Sequence, residues 1–126
     1  MTITEPLTPQ DALTLRAACK ALDDKFASDI TVLDISRVSV MADYFIIASG
    51  SNPNQMQAMA NEVEQKLFAA GLPLHHIEGA GGTTWILMDF GSVIVHLFDR
   101  ENRAFYNLER VWGDAKQVPV DSLLKQ

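Results

Sequence analysis

Residues 83–112 read TTWILMDFGSVIVHLFDRENRAFYNLERVW, and the fold class is decided there. Thr83–Met88 has the Thr, Trp and branched or long apolar residues of a strand, and Val93–Phe98 is a second such run. The four residues between them, Asp89-Phe90-Gly91-Ser92, form a short Gly-containing link that predicts an antiparallel hairpin. Asp99 stands where a helix N-cap belongs, because its carboxylate can accept the free N–H groups of a first turn. Ala104, Phe105, Leu108, Val111 and Trp112 then recur at spacings of three and four. This predicts one amphipathic helix that ends at Gly113.

Working outward, Thr8-Pro9 starts an earlier helix, with Thr8 as N-cap and Pro9 at the first helical position, where its missing N–H costs nothing. Ala12, Leu15, Cys19, Leu22 and Phe26 fall on its apolar stripe. Ile30–Ile35 is expected to be a strand, with Ile30 and Val32 on one face and Thr31, Leu33 and Ile35 on the other. Asp43–Ser49 is almost continuously apolar, as suits a central strand buried on both faces. Gly50-Ser51-Asn52-Pro53 then opens a helix, with Asn52 or Ser51 as N-cap, whose buried stripe is Met56, Met59, Ala60, Val63 and Leu67, ended by Gly71 and Pro73. Leu74–Glu78 reads as a short strand and residues 79–82 (GAGG) as a flexible link. The order predicts an α/β domain with a single mixed sheet of about five strands flanked by helices. Residues 1–8 form a flexible tail ahead of a domain spanning 9–115. Residues 116–126 lack a clear period and read as a C-terminal tail, extended or disordered.

The chain of 126 residues suffices for one domain with a real core. Ten Lys and Arg against sixteen Asp and Glu give a net charge of −6, which argues against a broad grip on nucleic-acid phosphates and suits a basic protein partner. Cys19 is the single cysteine, so an intrachain disulfide is excluded and a reducing compartment is the default. No apolar run approaches the ~20 residues of a membrane-spanning helix, and the N-terminus lacks the pattern of a signal or transit peptide. The expectation is a soluble cytoplasmic protein.

Candidate chemistry is sparse. Ala48-Ser49-Gly50-Ser51 can place backbone N–H groups at a helix N-terminus as an anion site, but neither a phosphate-binding nor a dinucleotide-binding glycine signature supports it. A Gly-Ser turn opening a helix is also a feature of nucleotidyltransferases, which follow it with two metal-binding carboxylates. Here no carboxylate occurs between Ser51 and Glu62, and no metal site is expected. His75 and His76 are adjacent and on a strand would face opposite ways. His96 shares a face with Ile94 and Phe98, as a hydrogen-bonded core histidine would. The hairpin strand is unusual because both its faces are apolar: Thr83, Trp85, Leu87 and Asp89 on one, Thr84, Ile86, Met88 and Phe90 on the other. Either a partner covers one face, or the domain covers both.

Several segments, taken in order, resemble the ribosomal silencing factor (Iojap-related) family over about residues 9–115. They are Ala21-Leu22-Asp23-Asp24-Lys25, Asp43–Gly50 (DYFIIASG), Glu78-Gly79, Trp85–His96 (WILMDFGSVIVH) and Phe105–Ala115 (FYNLERVWGDA). The resemblance implies a nucleotidyltransferase-like fold without the transferase carboxylates, no enzyme activity and no cofactor. It implies a translational repressor that binds large-subunit ribosomal protein L-fourteen on the 50S subunit and sterically blocks subunit joining when nutrients are short. It also implies a homodimer, and no sequence-specific nucleic-acid partner. By position, its contact surface falls on Trp85, Ile86, Leu87, Met88 and Asp89, with His96, Tyr106 and Leu108 nearby. The competing reading is a nucleotide-binding or nucleotidyltransferase-like enzyme on the same fold.

Overall fold

The computed structural model describes residues 8–80 and 84–125. The expected N-terminal tail up to Leu7, Gly81 and Gly82 of the expected link, and Thr83 of the expected strand lie outside the described residues. The chain runs α1 (Pro9–Asp24), β1 (Ser28–Asp34), β2 (Tyr44–Gly50), α2 (Pro53–Ala69), β3 (His76–Glu78), β4 (Trp85–Asp89) and β5 (Val93–Asp99). It continues through α3 (Arg100–Tyr106), α4 (Leu108–Val111), β6 (Lys116–Val118) and α5 (Val120–Leu124). Among the described residues six strands form one mixed sheet in the order β3-β4-β5-β2-β1-β6. β2 and β5 are parallel, and the other neighbours are antiparallel.

The three expected helix caps form. Thr8 Oγ1 accepts the Asp11 N–H at 3.0 Å, Asn52 Oδ1 accepts the Gln55 N–H at 2.8 Å, and Asp99 Oδ1 accepts the Asn102 N–H at 2.8 Å. Each satisfies a donor that the helix itself cannot. Every residue of β2 is buried, as its unbroken apolar run predicts. The hairpin link closes with the Phe90 N–H donating to the Val93 carbonyl at 2.9 Å. Asp89 Oδ1 accepts the Gly91 N–H at 2.8 Å, and Gly91 sits at φ +90°, where a side chain would strain the turn.

The sheet separates two cores. α1 and α2 pack on one face over Val32, Ile46, Ala48, Ile86, Met88, Phe90, Val95 and Leu97. Leu33, Ile35, Phe45, Ile47, Ile94 and Phe98 line the other face, joined by Trp85, Leu87, Leu108 and Trp112. Cys19 is fully buried in the first core, and burial pushes its thiol up to about 12, which makes it a small apolar residue rather than a nucleophile.

Three sequence expectations change. Phe26 is not on the stripe of α1: the helix ends at Asp24, Phe26 takes φ +63° and its ring is 86% exposed. The expected helix up to Trp112 is broken at Asn107, which adopts the left-handed conformation at φ +46° and caps α3. The break turns the expected apolar face outward, leaving Phe105 and Val111 exposed while Leu108 and Trp112 pack on the second core. The stretch after Ala115 also carries structure: β6 pairs with β1 through Val118 and Val32, and α5 buries Leu123 in the first core. Replacing Leu123 by Ala should therefore lower unfolding stability by about 2–4 kcal/mol in a urea titration. A change below about 0.5 kcal/mol would mean that α5 is not anchored.

Candidate protein-docking face

Strand register sets out the second face in rows. His76, Asp89, Ile94, Phe45 and Leu33 lie side by side in one row. Glu78, Leu87, His96, Ile47 and Thr31 form the next, and Trp85, Phe98 and Ser49 a third. α3 and α4 cover one end of these rows. Their anchor is Arg103, a charged residue only 9% exposed. Its Nη1 donates to Ser49 Oγ at 3.0 Å and its Nη2 to Thr31 Oγ1 at 3.0 Å. Nε and Nη2 both reach Glu109 Oε2, at 3.2 and 2.9 Å. A buried guanidinium is tolerable because its donors are matched by acceptors and by a carboxylate. One side chain thus ties α3 to β1, β2 and α4.

Toward β4 the rows are not covered by these helices, and an aromatic group fills the step. The Trp85 ring lies 4.9 Å from Phe98 and 4.8 Å from Tyr106, centroid to centroid. Trp85 Nε1–H donates to His96 Nδ1 at 3.1 Å, and Phe45 meets the His96 ring edge-on at 4.6 Å. Trp85, Leu87 and Asp89 are half-buried, and Tyr106 is 39% exposed. His96 is buried at 4% exposure, and Leu108 is half-buried against the second core. The structure therefore gathers Trp85, Leu87, Asp89, His96, Tyr106 and Leu108 on one side of the sheet.

Ile86 and Met88 do not belong to this group. Alternation along β4 sends both into the core under α1 and α2, each with 0% exposure. Neither is within reach of a partner docking on the Trp85 side, which corrects the expectation that the whole run Trp85–Asp89 makes contact.

Burial lowers the His96 pKa to about 4, because the charged ring would lose its hydration. With Nδ1 accepting from Trp85, the proton of the neutral ring sits on Nε2, and Nε2 is buried with no hydrogen-bond partner among the described residues.

The turn at Ser49-Gly50-Ser51 is satisfied by a side chain from the start of α2. Gln55 Oε1 accepts the Ser51 N–H at 2.6 Å, while Gln55 Nε2 donates to the carbonyls of Lys25 and Phe26 at 3.0 and 2.9 Å. A cleft of about 420 Å³ lies nearby, lined by Ser49, Arg103, Asn107 and Glu109 among others. The first turn of α2 holds no acidic residue. Among the described residues no group of three or more His, Cys, Asp or Glu is placed to hold a metal ion, and no helix is long and apolar enough to cross a membrane.

The family model "Ribosomal silencing factor during starvation" matches residues 8–126. The chain belongs to the ribosomal silencing factor family. A Bacillus subtilis ribosomal silencing factor is 40% identical over 112 residues, covering 89% of this chain and 95% of the relative. Among solved structures, a Bacillus halodurans crystal structure superposes with a TM-score of 0.73 at 35% identity, over 83% of this chain and 95% of that one. A Chromobacterium violaceum protein superposes at 0.75 and 35% identity, over 90% and 91%. The family match extends through β6 and α5, and the two solved folds agree with the α/β architecture described above.

The Arg103 cluster escapes sequence reasoning, since Thr31, Ser49, Arg103 and Glu109 come from four separate segments. The available signals are a hydroxyl closing the apolar run of β2 and a threonine on the strand face that is otherwise Leu33 and Ile35.

His96 provides a pH test. The unfolded chain protonates it near its ordinary value of about 6.5, and the folded chain not until about 4. The unfolded state thus binds more protons between these values, so this contribution is intact above about pH 6.5 and lost as pH falls toward 4. Between pH 6.5 and 4.5 the parent should lose about 2 kcal/mol more stability than His96→Gln. Parallel urea curves for the two proteins across that range would refute the assignment.

Proposed function

We propose that this chain is a non-catalytic repressor of translation. It binds large-subunit ribosomal protein L-fourteen on the 50S subunit and sterically blocks association of the two ribosomal subunits, above all under nutrient limitation. The reading is supported most by the surface around Trp85. A large ring, Leu87 and the Asp89 carboxylate emerge together on one side of a rigid strand, with Tyr106 against the ring. Aromatic area with an adjacent carboxylate suits a basic protein surface, and the net charge of −6 supports the same sign of partner. Leu108 and His96 support this surface from beneath, through packing and the Trp85 hydrogen bond. An enzyme reading finds less support, since the α2 turn is satisfied by Asn52 and Gln55 and carries no carboxylate pair.

The function is tested by mixing the purified protein with isolated large and small subunits and sedimenting them through a sucrose gradient. Whole ribosomes should be depleted without added nucleotide. Trp85→Ala should bind L-fourteen about 2–4 kcal/mol more weakly while remaining folded. Asp89→Asn should also weaken binding, and it leaves Oδ1 to hold the hairpin turn. Undiminished whole ribosomes at saturating protein would overturn the proposal.

The free protein is proposed to be a homodimer in the cytoplasm. Phe105 and Val111 on α3 and α4, with Val40 and Met41 between β1 and β2, leave apolar area that a two-fold partner can cover. Light scattering at roughly ten micromolar, a concentration typical for such contacts, should give twice the chain mass. A monomer mass there would refute the dimer.

A further inference from the structure

We infer that Glu78 on β3 is a second acidic contact of the same docking face, so that the face extends to the sheet edge and selects a partner carrying two separated cations. The inference rests on the docking reading above. Register carries it. Ile77 pairs with Met88 and packs on the core under α1 and α2, so its neighbours His76 and Glu78 point to the opposite face. There Glu78 stands beside Leu87, and His76 beside Asp89. His76 Nε2 lies 3.6 Å from Glu78 Oε2, as expected of side chains two apart on one face. Leu87 is therefore flanked by two carboxylates, Glu78 across the strand and Asp89 two residues along it.

The two residues are placed in different ways. Asp89 gives Oδ1 to the hairpin turn, which orients the group. Glu78 is fixed through its backbone: the next residue, Gly79, has φ +80°, and a Cβ there would collide with the Trp85 carbonyl oxygen. The close approach presses the end of β3 against Trp85, and it needs glycine on both counts. The Glu78 side chain itself is 67% exposed, and among the described residues its one charged neighbour is His76. The same row contains His96, buried beneath this surface and tied to Trp85 through its Nδ1. A basic protein surface is the occupant that this combination fits: one apolar contact over Leu87, with cations to either side.

Binding of purified ribosomal protein L-fourteen would be measured at low and at high salt for the parent, Glu78→Gln, Glu78→Lys, Trp85→Ala and Glu64→Gln. Glu64 is exposed on α2, which covers the opposite face. Glu78→Gln should bind about three- to tenfold more weakly at low salt, with a shallower salt dependence, and Glu78→Lys more weakly still. Glu64→Gln should match the parent. Parent-like affinity and salt dependence for both Glu78 variants would overturn the inference. If Trp85→Ala is weak in that case, the docking reading survives and Glu78 alone is excluded. If Trp85→Ala also binds like the parent, the docking face itself is misplaced.

Discussion

β2 and β5 lie side by side and parallel, and every residue of β2 and all but the last of β5 are buried. A parallel pair of this kind needs apolar cover on both faces, since neither can be left to water. α1 and α2 supply it on one side. On the other, α3 and α4 are too short to cover the sheet, and the remaining area is closed by aromatic rings or left half-buried. The uneven cover gives one sheet a fully covered side and, in the proposed reading, a recognition side.

Arg103 decides where that second cover stops. Helices of seven and four residues have little stability of their own, and the left-handed Asn107 between them prevents one longer helix from forming. What fixes them is a guanidinium matched by Ser49, Thr31 and Glu109 at the far end of the sheet. α3 thereby brings Tyr106 against Trp85 and goes no further. A charged residue, rather than the exposed Phe105 or Val111, holds the helix that borders the proposed docking face.

Much of this was legible in the sequence where one local rule acted alone. The caps at Thr8, Asn52 and Asp99, the central position of β2 and the hairpin after Trp85 all follow from residue type and spacing. The misread parts depend on tertiary partners. Phe105 keeps helical spacing with Leu108, yet the left-handed break at Asn107 leaves Phe105 exposed while Leu108 packs on the second core. Lys116–Val118 has no strand pattern and becomes one by pairing with the free edge of β1. The partition of Trp85 and Leu87 from Ile86 and Met88 follows from simple alternation, but which half meets solvent depends on how far α3 reaches.

The parallel pairing has a consequence for how the chain folds. It joins Tyr44 to Val93 and Gly50 to Asp99, closing a loop of about fifty residues, an ordering cost met before the pair gains its contacts. α1, β1, β2 and α2 can assemble locally, yet neither core is complete until β5 arrives between β2 and β4. During synthesis, the nascent chain must therefore wait for nearly four fifths of its length before its central strand has both neighbours. β6 and α5 then seal β1 and α1 last. The apolar run of β2 spends that interval with one edge unpaired, which makes prompt completion of the C-terminal third the safeguard against edge-to-edge association.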